Sequence, residues 1–451
     1  MVEIEQNLAK QIIMKLGQSG EPPEIGTIHF SVGLDSYLNA LDSEYLDGIL
    51  KTGMSAFKLI LGDYGAGKTH FLYCLREKAW QRNYAVSMVA LNPRDCPFDK
   101  LQLVYKEIVQ KIMLKPENSY QIDMSSIGLK VILEDWCRNT LDGFNKKQQE
   151  INVKLDDLVN KYLYGLKGVE SASFLQAVKV YFRSYVNGDY ATCEFIEKWL
   201  YGEPIPKVEM HPYHIYEKLD STTAFRMIRS LCQFLREIGY TGLVILFDEG
   251  ERQTSIASMK SRKIAFDNIR QVIDECGNSR LPGAFFCYAV PPSFLDQVKQ
   301  YPALSQRLSS GINFSYVNPS GVLIDLEHLD LEPEALLMEI GKKLWNIYKI
   351  AFPNDVADLI AYKNISNMAE EVYNQTLDVS YRRIFVKALI EMFNTLRSGK
   401  ESFNIDESRQ IVRSTVNNLK VIETERMKGR YLDDDEEEDN NGDDLDDDYE
   451  F

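Results

Sequence analysis

The sequence predicts an α/β fold in which a mostly parallel sheet is covered by helices on both faces. Three observations carry that expectation. Four short apolar runs, FKLIL (57–61), YAVSMVAL (84–91), GLVILFDE (242–249) and GAFFCYAV (283–290), have the composition of fully buried strands and are separated by helical patterns. A glycine-rich loop follows the first run directly. An acidic pair closes the third.

The elements follow in order. Residues 5–16 have helical spacing, with Gly17 as the stop, and EPPEIGTIHFSVG (21–33) then reads as extended. LDSYLNALDSEYLDGIL (34–50) predicts a second helix, ended by a Thr-Gly turn before the first strand. HFLYCLREKAWQRN (70–83), 98–113 and 213–239 place apolar residues at helical intervals. About 150 residues separate the second and third strands, too many for one crossover helix. Their middle, 116–212, is polar, rich in aromatics and mostly helical in pattern, which predicts a helical insertion. After GVLIDLEHLDL (321–331) the pattern is helical from Glu334 to about Arg397 and forms a second lobe. No period of 20 to 50 residues repeats, so a solenoid is excluded.

Composition narrows the function classes. Apolar residues make up 45% and charged ones 26%, the balance of a soluble globular protein. No apolar run approaches the roughly 18 to 20 residues of a membrane helix, and the acidic, helix-patterned N-terminus is unlike a secretory signal. Seven scattered cysteines without C-x-x-C predict reduced thiols and a cytoplasmic protein, not a disulfide or zinc framework. His211 and His214 have no third ligand nearby and read as surface residues. The net charge of −16 is concentrated in residues 432–451, which hold thirteen acids and no base, so the rest of the chain is nearly neutral.

GDYGAGKT, from Gly62 to Thr69, fits G-x-x-x-x-G-K-[ST]. Gly62, Asp63, Tyr64, Gly65, Ala66 and Gly67 can curl so that successive N–H groups face phosphate oxygens, helped by the positive end of the helix that follows. Lys68 is the expected partner of the β- and γ-phosphates, and Thr69 the expected Mg²⁺ ligand. Asp248 and Glu249, at the tip of the third strand, supply the complement. Asp248 would hold Mg²⁺ and Glu249 would act as general base on the attacking water. No N-K-x-D is present, so ATP is expected rather than GTP.

These residues resemble a known group. FSVGLDSYLNAL, FKLILGDYGAGKTHFLYCLREKA, VSMVALNPRDCPFDKLQLVYKEIV and VILFDEGE look like the ATP-binding proteins of BREX-type bacterial anti-phage systems, the BrxD group. That group consists of AAA+ ATPases related to origin-recognition and Cdc6-type initiators. The resemblance covers most of 8–115 and 213–400. It implies a P-loop AAA+ core (57–115 and 213–330) and N-terminal helices with an adenine-pocket segment (1–56). It further implies a C-terminal helical lid lobe (331–430). The helical insertion (116–212), where the resemblance is weak, and the acidic tail (431–451), where it is absent, are read from the residues themselves. By the same resemblance Val32 and Gly33 lie near the base, Arg307 is the candidate arginine finger and Arg383, ahead of Arg382, the candidate sensor arginine. Val290 stands where a threonine would be at home, followed by Pro291-Pro292-Ser293, a departure from the pattern.

Two functions follow as expectations. One is a Mg²⁺-dependent ATPase that works as a homo-oligomer with DNA and other defence-system proteins. The other is a nucleotide-gated interaction module with little turnover. NKKQQEINVK (145–154) and MKSRK (259–263) are the basic candidates for DNA, and each also reads as a solvated helix face.

The acidic tail is expected to be disordered, serving as a solubiliser or as a mask over a basic surface. Deleting 432–451 should leave the melting temperature and ATPase rate unchanged. If the tail is a mask, fluorescence anisotropy on one duplex should show tighter binding by the truncated protein. The gain should be largest at low salt, where the Debye length is about 30 Å at 0.01 M against about 10 Å at 0.1 M. Superimposed curves at every salt concentration eliminate masking.

Overall fold

The computed structural model describes residues 4–92, 95–116, 122–151, 154–249, 259–308, 313–329, 331–375, 381–400, 403–404 and 406–420. In chain order the elements are α1 (Gln6–Ser19), α2 (Asp35–Ala40), β1 (Ala56–Leu61), α3 (Lys68–Gln81), β2 (Tyr84–Leu91), α4 (Leu101–Lys111) and β3 (Ile112–Met113). Next come α5 (Leu129–Ile151), α6 (Leu155–Gly165), α7 (Ala172–Val186), α8 (Tyr190–Leu200), α9 (Lys207–Met210), α10 (Ala224–Glu237), β4 (Gly242–Glu249) and α11 (Met259–Gly277). The chain continues with β5 (Ala284–Val290), α12 (Ser293–Lys299), α13 (Pro302–Leu308), β6 (Leu323–Asp325), α14 (Pro333–Ala351), α15 (Asp358–Gln375) and α16 (Tyr381–Arg397). Two compact units result: Glu24–Leu331, and Met1–Pro23 together with Glu332–Phe451.

The larger unit holds one sheet in the order β3-β2-β4-β5-β1-β6. All pairings are parallel except that of β3 with β2. The apolar strands alternate faces as a pleat requires. Phe57, Leu59, Ile245, Phe247, Phe286 and Tyr288 join one core, and Ile60, Val86, Val244, Leu246, Phe285 and Cys287 the other. Both faces are buried, which is why these strands read as unbroken apolar runs. α2 and α3 cover the second face, while α4, α10, α11 and the insertion helices belong to the first core. Within 116–212 the Trp136 ring centroid lies 4.9 Å from that of Phe182 and its Nε1 donates to the Tyr162 hydroxyl at 2.7 Å, and the same ring meets Phe234 of α10 at 5.1 Å.

Several expectations are revised. α1 runs through Gly17 to Ser19, because Gly17 serves packing: a Cβ there would lie 2.9 Å from Ile390 Cγ2. The helix ends at Gly20, whose φ of 68° is the left-handed cap and whose N–H donates to the Leu16 carbonyl. α1 packs on α14 and α16 and so belongs with the C-terminal helices, apart from 24–56. The helix expected over 34–50 breaks into α2, a π-turn over 41–46 and a 3₁₀ turn over 49–52. Gly48 sits at the last break, where a Cβ would meet the Glu44 carbonyl at 2.3 Å. The helix expected over 98–113 gives way to β3, since Ile112 and Met113 pair with the sheet edge at Ser87 and Val86. The helix expected over 213–239 begins only at Ala224, after Asp220 Oδ1 has accepted the Thr222 and Thr223 N–H groups. β6 is an additional strand. The tail, 432–451, lies outside the described residues. All seven cysteines are buried free thiols. Among the described residues no helix is long and apolar enough to cross a membrane.

One buried charge fixes the chain beside β1. Lys58 is 2% exposed, and its ammonium donates to the Tyr45 hydroxyl (2.6 Å), the Pro319 carbonyl (3.0 Å) and the Gly321 carbonyl (2.5 Å). The Tyr45 and Phe314 rings face it at 4.3 and 4.7 Å. Burial lowers its pKa to about 7. The folded state therefore releases this proton near pH 7, whereas the unfolded chain keeps it to about pH 10.4. Between those limits the unfolded state binds more protons, so stability rises with pH. From pH 7 to 9 the gain should be about 2 kcal/mol. Denaturant titrations should show it in the wild type and not in Lys58→Met; equal pH slopes would exclude a buried, titrating Lys58.

Candidate functional site

The glycine loop leaves β1 at Gly62 and enters α3 at Lys68. Gly65 and Gly67 have φ of 85° and 94°, a region side chains avoid. Gly62 is needed for closeness: a Cβ there would lie 2.9 Å from Ala66 Cβ and 3.4 Å from Lys68 Cγ. The loop thereby closes on itself through Asp63, whose carbonyl accepts the Ala66 N–H at 3.1 Å. Lys68 Nζ donates to the carbonyls of Gly62 (2.7 Å) and Asp63 (3.0 Å), which arches its side chain over the loop. The first turn of α3, whose backbone N–H groups lack intrahelical acceptors, opens onto the same loop.

β4 carries the second half of the site. Thr69 Oγ1 donates to Asp248 Oδ2 at 2.7 Å, joining the start of α3, which follows β1, to the end of β4; β1 and β4 flank β5 in the sheet. Burial pushes the Asp248 carboxyl above the usual range, and the Thr69 hydrogen bond and the Lys68 charge pull it back. A hydroxyl beside a carboxylate is an all-oxygen pair suited to a hard divalent cation. Among the described residues no group of three or more His, Cys, Asp or Glu could hold a metal by itself. The residues present therefore fit magnesium, which takes one or two protein ligands and completes its shell with water and phosphate. Such an ion would favour the charged form of Asp248.

Glu249 ends β4 opposite Leu91 of β2; its backbone is described and its side chain lies outside the described residues. Val290, at the end of β5, is fully buried, and its carbonyl accepts the Gly62 N–H at 3.2 Å. The strand end between the glycine loop and Asp248 thus presents an apolar side chain.

The extended segment after Pro23 reaches the start of α3. The Phe30 ring packs edge-on against His70, with centroids 5.0 Å apart, immediately beyond Thr69. Val32 and Gly33 follow two and three residues later, partly exposed, with Gly33 at φ 75°. The candidate arginines are engaged elsewhere. Arg307 on α13 forms a two-point pair with Asp274 of α11 (2.6 and 2.9 Å) and donates to the Ala303 carbonyl. Arg383 on α16 is held within the helical unit by the Ser19 carbonyl (3.0 Å) and Glu21 (3.1 Å).

Two contributors carry no motif in the sequence. Glu327 Oε1 accepts the Asp63 N–H at 2.6 Å, across 264 positions. Glu77 of α3 accepts three hydrogen bonds from Gly26 and Thr27. The VLID pattern at 322–325 was the one available hint of β6, which delivers Glu327 to the loop.

Comparisons with curated proteins and with solved structures find no match. A family model described as "BREX system ATP-binding protein BrxC/D" matches residues 4–415, nearly the whole chain, and the protein belongs to that family of ATP-binding proteins of BREX phage-defence systems.

Proposed function

We propose that this member of the BREX ATP-binding family hydrolyses ATP with magnesium, acting as a homo-oligomer with DNA and partner proteins of the defence system. The observation that carries the proposal is the 2.7 Å contact between Thr69 and Asp248 beside the arched Lys68. The cost of a half-buried carboxylate bonded to the loop threonine is offset by a cation bound along with the phosphates. The contact therefore supports binding of magnesium-nucleotide, the state from which hydrolysis would start. Lys68 would exchange the Gly62 and Asp63 carbonyls for the β- and γ-phosphates. The backbone at Gly65, Gly67 and the start of α3 would orient them, while the Gly62, Asp63 and Ala66 N–H groups stay bonded to Val290, Glu327 and Asp63. Thr69 with Asp248 would hold magnesium. When bound there, magnesium would supply positive charge to the phosphate oxygens. Glu249 takes the proton of the attacking water. Arg307 of a neighbouring copy approaches the terminal phosphate once Asp274 releases it, and Arg383 reports nucleotide state from the helical unit.

A second proposal, a nucleotide-gated interaction module with little turnover, is favoured by two observations. Val290 presents no polar group at the end of β5, and Arg307 is held in its own chain. Turnover separates the two.

Lys68→Ala should weaken ATP binding about 100-fold, the loss of charge-assisted hydrogen bonds to phosphate. Glu249→Gln should keep ATP affinity and lose about 10²- to 10⁴-fold in turnover. Calorimetric titration and phosphate release, on variants with wild-type melting temperatures, check both. Wild-type ATP affinity in Lys68→Ala refutes the loop assignment, and a wild-type rate in Glu249→Gln refutes its role as base.

If Arg307 acts in trans, mixing Arg307→Ala with Glu249→Gln protein should recover activity at interfaces that pair an intact base with an intact arginine. Specific activity should also rise with protein concentration. No recovery, with concentration-independent turnover, excludes an intersubunit site.

A further inference from the structure

We propose that Glu77, assisted by Arg76, is a positioning residue for the nucleotide base: it locks the 24–33 segment onto the same helix that carries Lys68 and Thr69. The inference rests on ATP binding at this loop and on the expectation, implied by the family resemblance, that Val32 and Gly33 adjoin the base, and it names what holds them there.

α3 begins at the phosphate-facing loop and turns one face toward this segment. His70, Tyr73, Glu77 and Trp80 recur at three- and four-residue intervals and so share a stripe, with Arg76 at its margin. The segment is fastened at three points along that stripe. Arg76, 2% exposed, donates to the Glu24 carbonyl, and its guanidinium lies 4.5 Å from the Tyr73 ring centroid and 4.9 Å from that of Trp80. Glu77 Oε1 accepts the Gly26 N–H (2.9 Å), the Thr27 N–H (3.1 Å) and the Thr27 hydroxyl (2.9 Å). Phe30 then meets His70. The segment therefore runs antiparallel to α3, covering about 10 Å between residues 77 and 70 at 1.5 Å per residue, and arrives at the loop end of the helix.

The chemistry of the middle anchor is specific. Gly26 has a φ of 86°, so the chain turns sharply there and presents two consecutive N–H groups to one acceptor. Thr27 is fully buried, and a buried N–H without an acceptor is costly. A single carboxylate oxygen meets all three donors, although its own burial is unfavourable. Phosphate contacts belong to the loop and helix start, whereas base contacts depend on where 30–33 is held. Losing Glu77 should thus affect the base half of the ligand and spare the phosphate half.

The experiment compares Mg²⁺-ATP with Mg²⁺-tripolyphosphate, which has the phosphates and no base, by calorimetric titration of the full chain. Glu77→Ala should weaken ATP about 10- to 50-fold, as expected for lost hydrogen bonds at a charged acceptor, and leave tripolyphosphate within about twofold. Glu77→Gln, which keeps the Oε1 acceptor, should restore ATP affinity to within a few-fold. Unchanged ATP affinity in Glu77→Ala, or equal losses for both ligands at an unchanged melting temperature, overturns the proposal. If Glu77→Ala does not fold, Thr27→Val decides, since it removes one donor with little change of shape. A several-fold loss confined to ATP supports the anchor, and unchanged ATP affinity overturns it. Val32→Arg separates the underlying assumption: a loss of ATP but not tripolyphosphate there, with Glu77→Ala unaffected, keeps the base pocket and rejects Glu77. Equal wild-type affinity for both ligands rejects the base pocket itself.

Discussion

Parallel pairing of β1 with β5 on one side and β6 on the other is the constraint from which the site follows. It sets Leu61 opposite both Val290 and Asp325, while β4 places Asp248 beside Ala289. Parallel strands end at one edge of a sheet, so four chain segments emerge together there, each with backbone groups that the ladder no longer satisfies. They satisfy one another. Val290 accepts from Gly62, Leu61 accepts from Leu326, and Glu327 accepts from Asp63. The glycine loop is thus seated by hydrogen bonds to the ends of the neighbouring strands, before any ligand is considered.

Buried and half-buried titratable side chains do the remaining fastening. Lys58 ties 319–321 to β1, Arg76 and Glu77 tie 24–27 to α3, and Asp248 ties β4 to the start of α3. Burying an ionised group is unfavourable, and each of these offsets that cost by hydrogen bonds to groups that would otherwise be unsatisfied. Apolar packing is tolerant of small displacements, whereas two or three hydrogen bonds to one atom are not. The segments surrounding the loop are held by the stricter of the two interactions.

The two candidate arginines differ in how firmly they are held. The Arg307–Asp274 pair is about one-third exposed on each side, and such pairs contribute about 0 to 1 kcal/mol. Exchanging that partner for the charge of a phosphate is therefore cheap. Arg383 is only 10% exposed and bonds both a carbonyl and a carboxylate inside the helical unit, so releasing it costs more. A nucleotide-dependent exchange is physically easier for the first than for the second.

The sequence alone determined the parallel sheet, the glycine loop and the acidic strand end. Each depends on local features: apolar runs that must be buried on both faces, glycines at positions with φ above 80°, and a motif whose spacing is set by the size of a phosphate. The helix limits were legible only in part. Gly17 looked like a stop because the residue it packs against, Ile390, is remote in the chain. Met113 looked helical because its partner, Val86, lies on another strand. Glu327 and Glu77 were invisible for the same reason: an acidic residue on a polar stretch becomes a hydrogen-bond acceptor for the loop or for Gly26 only once pairing of β1 with β6, or docking of 24–30 on α3, brings its donors within 3 Å or so. Tertiary structure decided those contacts, because a hydrogen bond is a property of distance and direction, and neither is written in the order of residues.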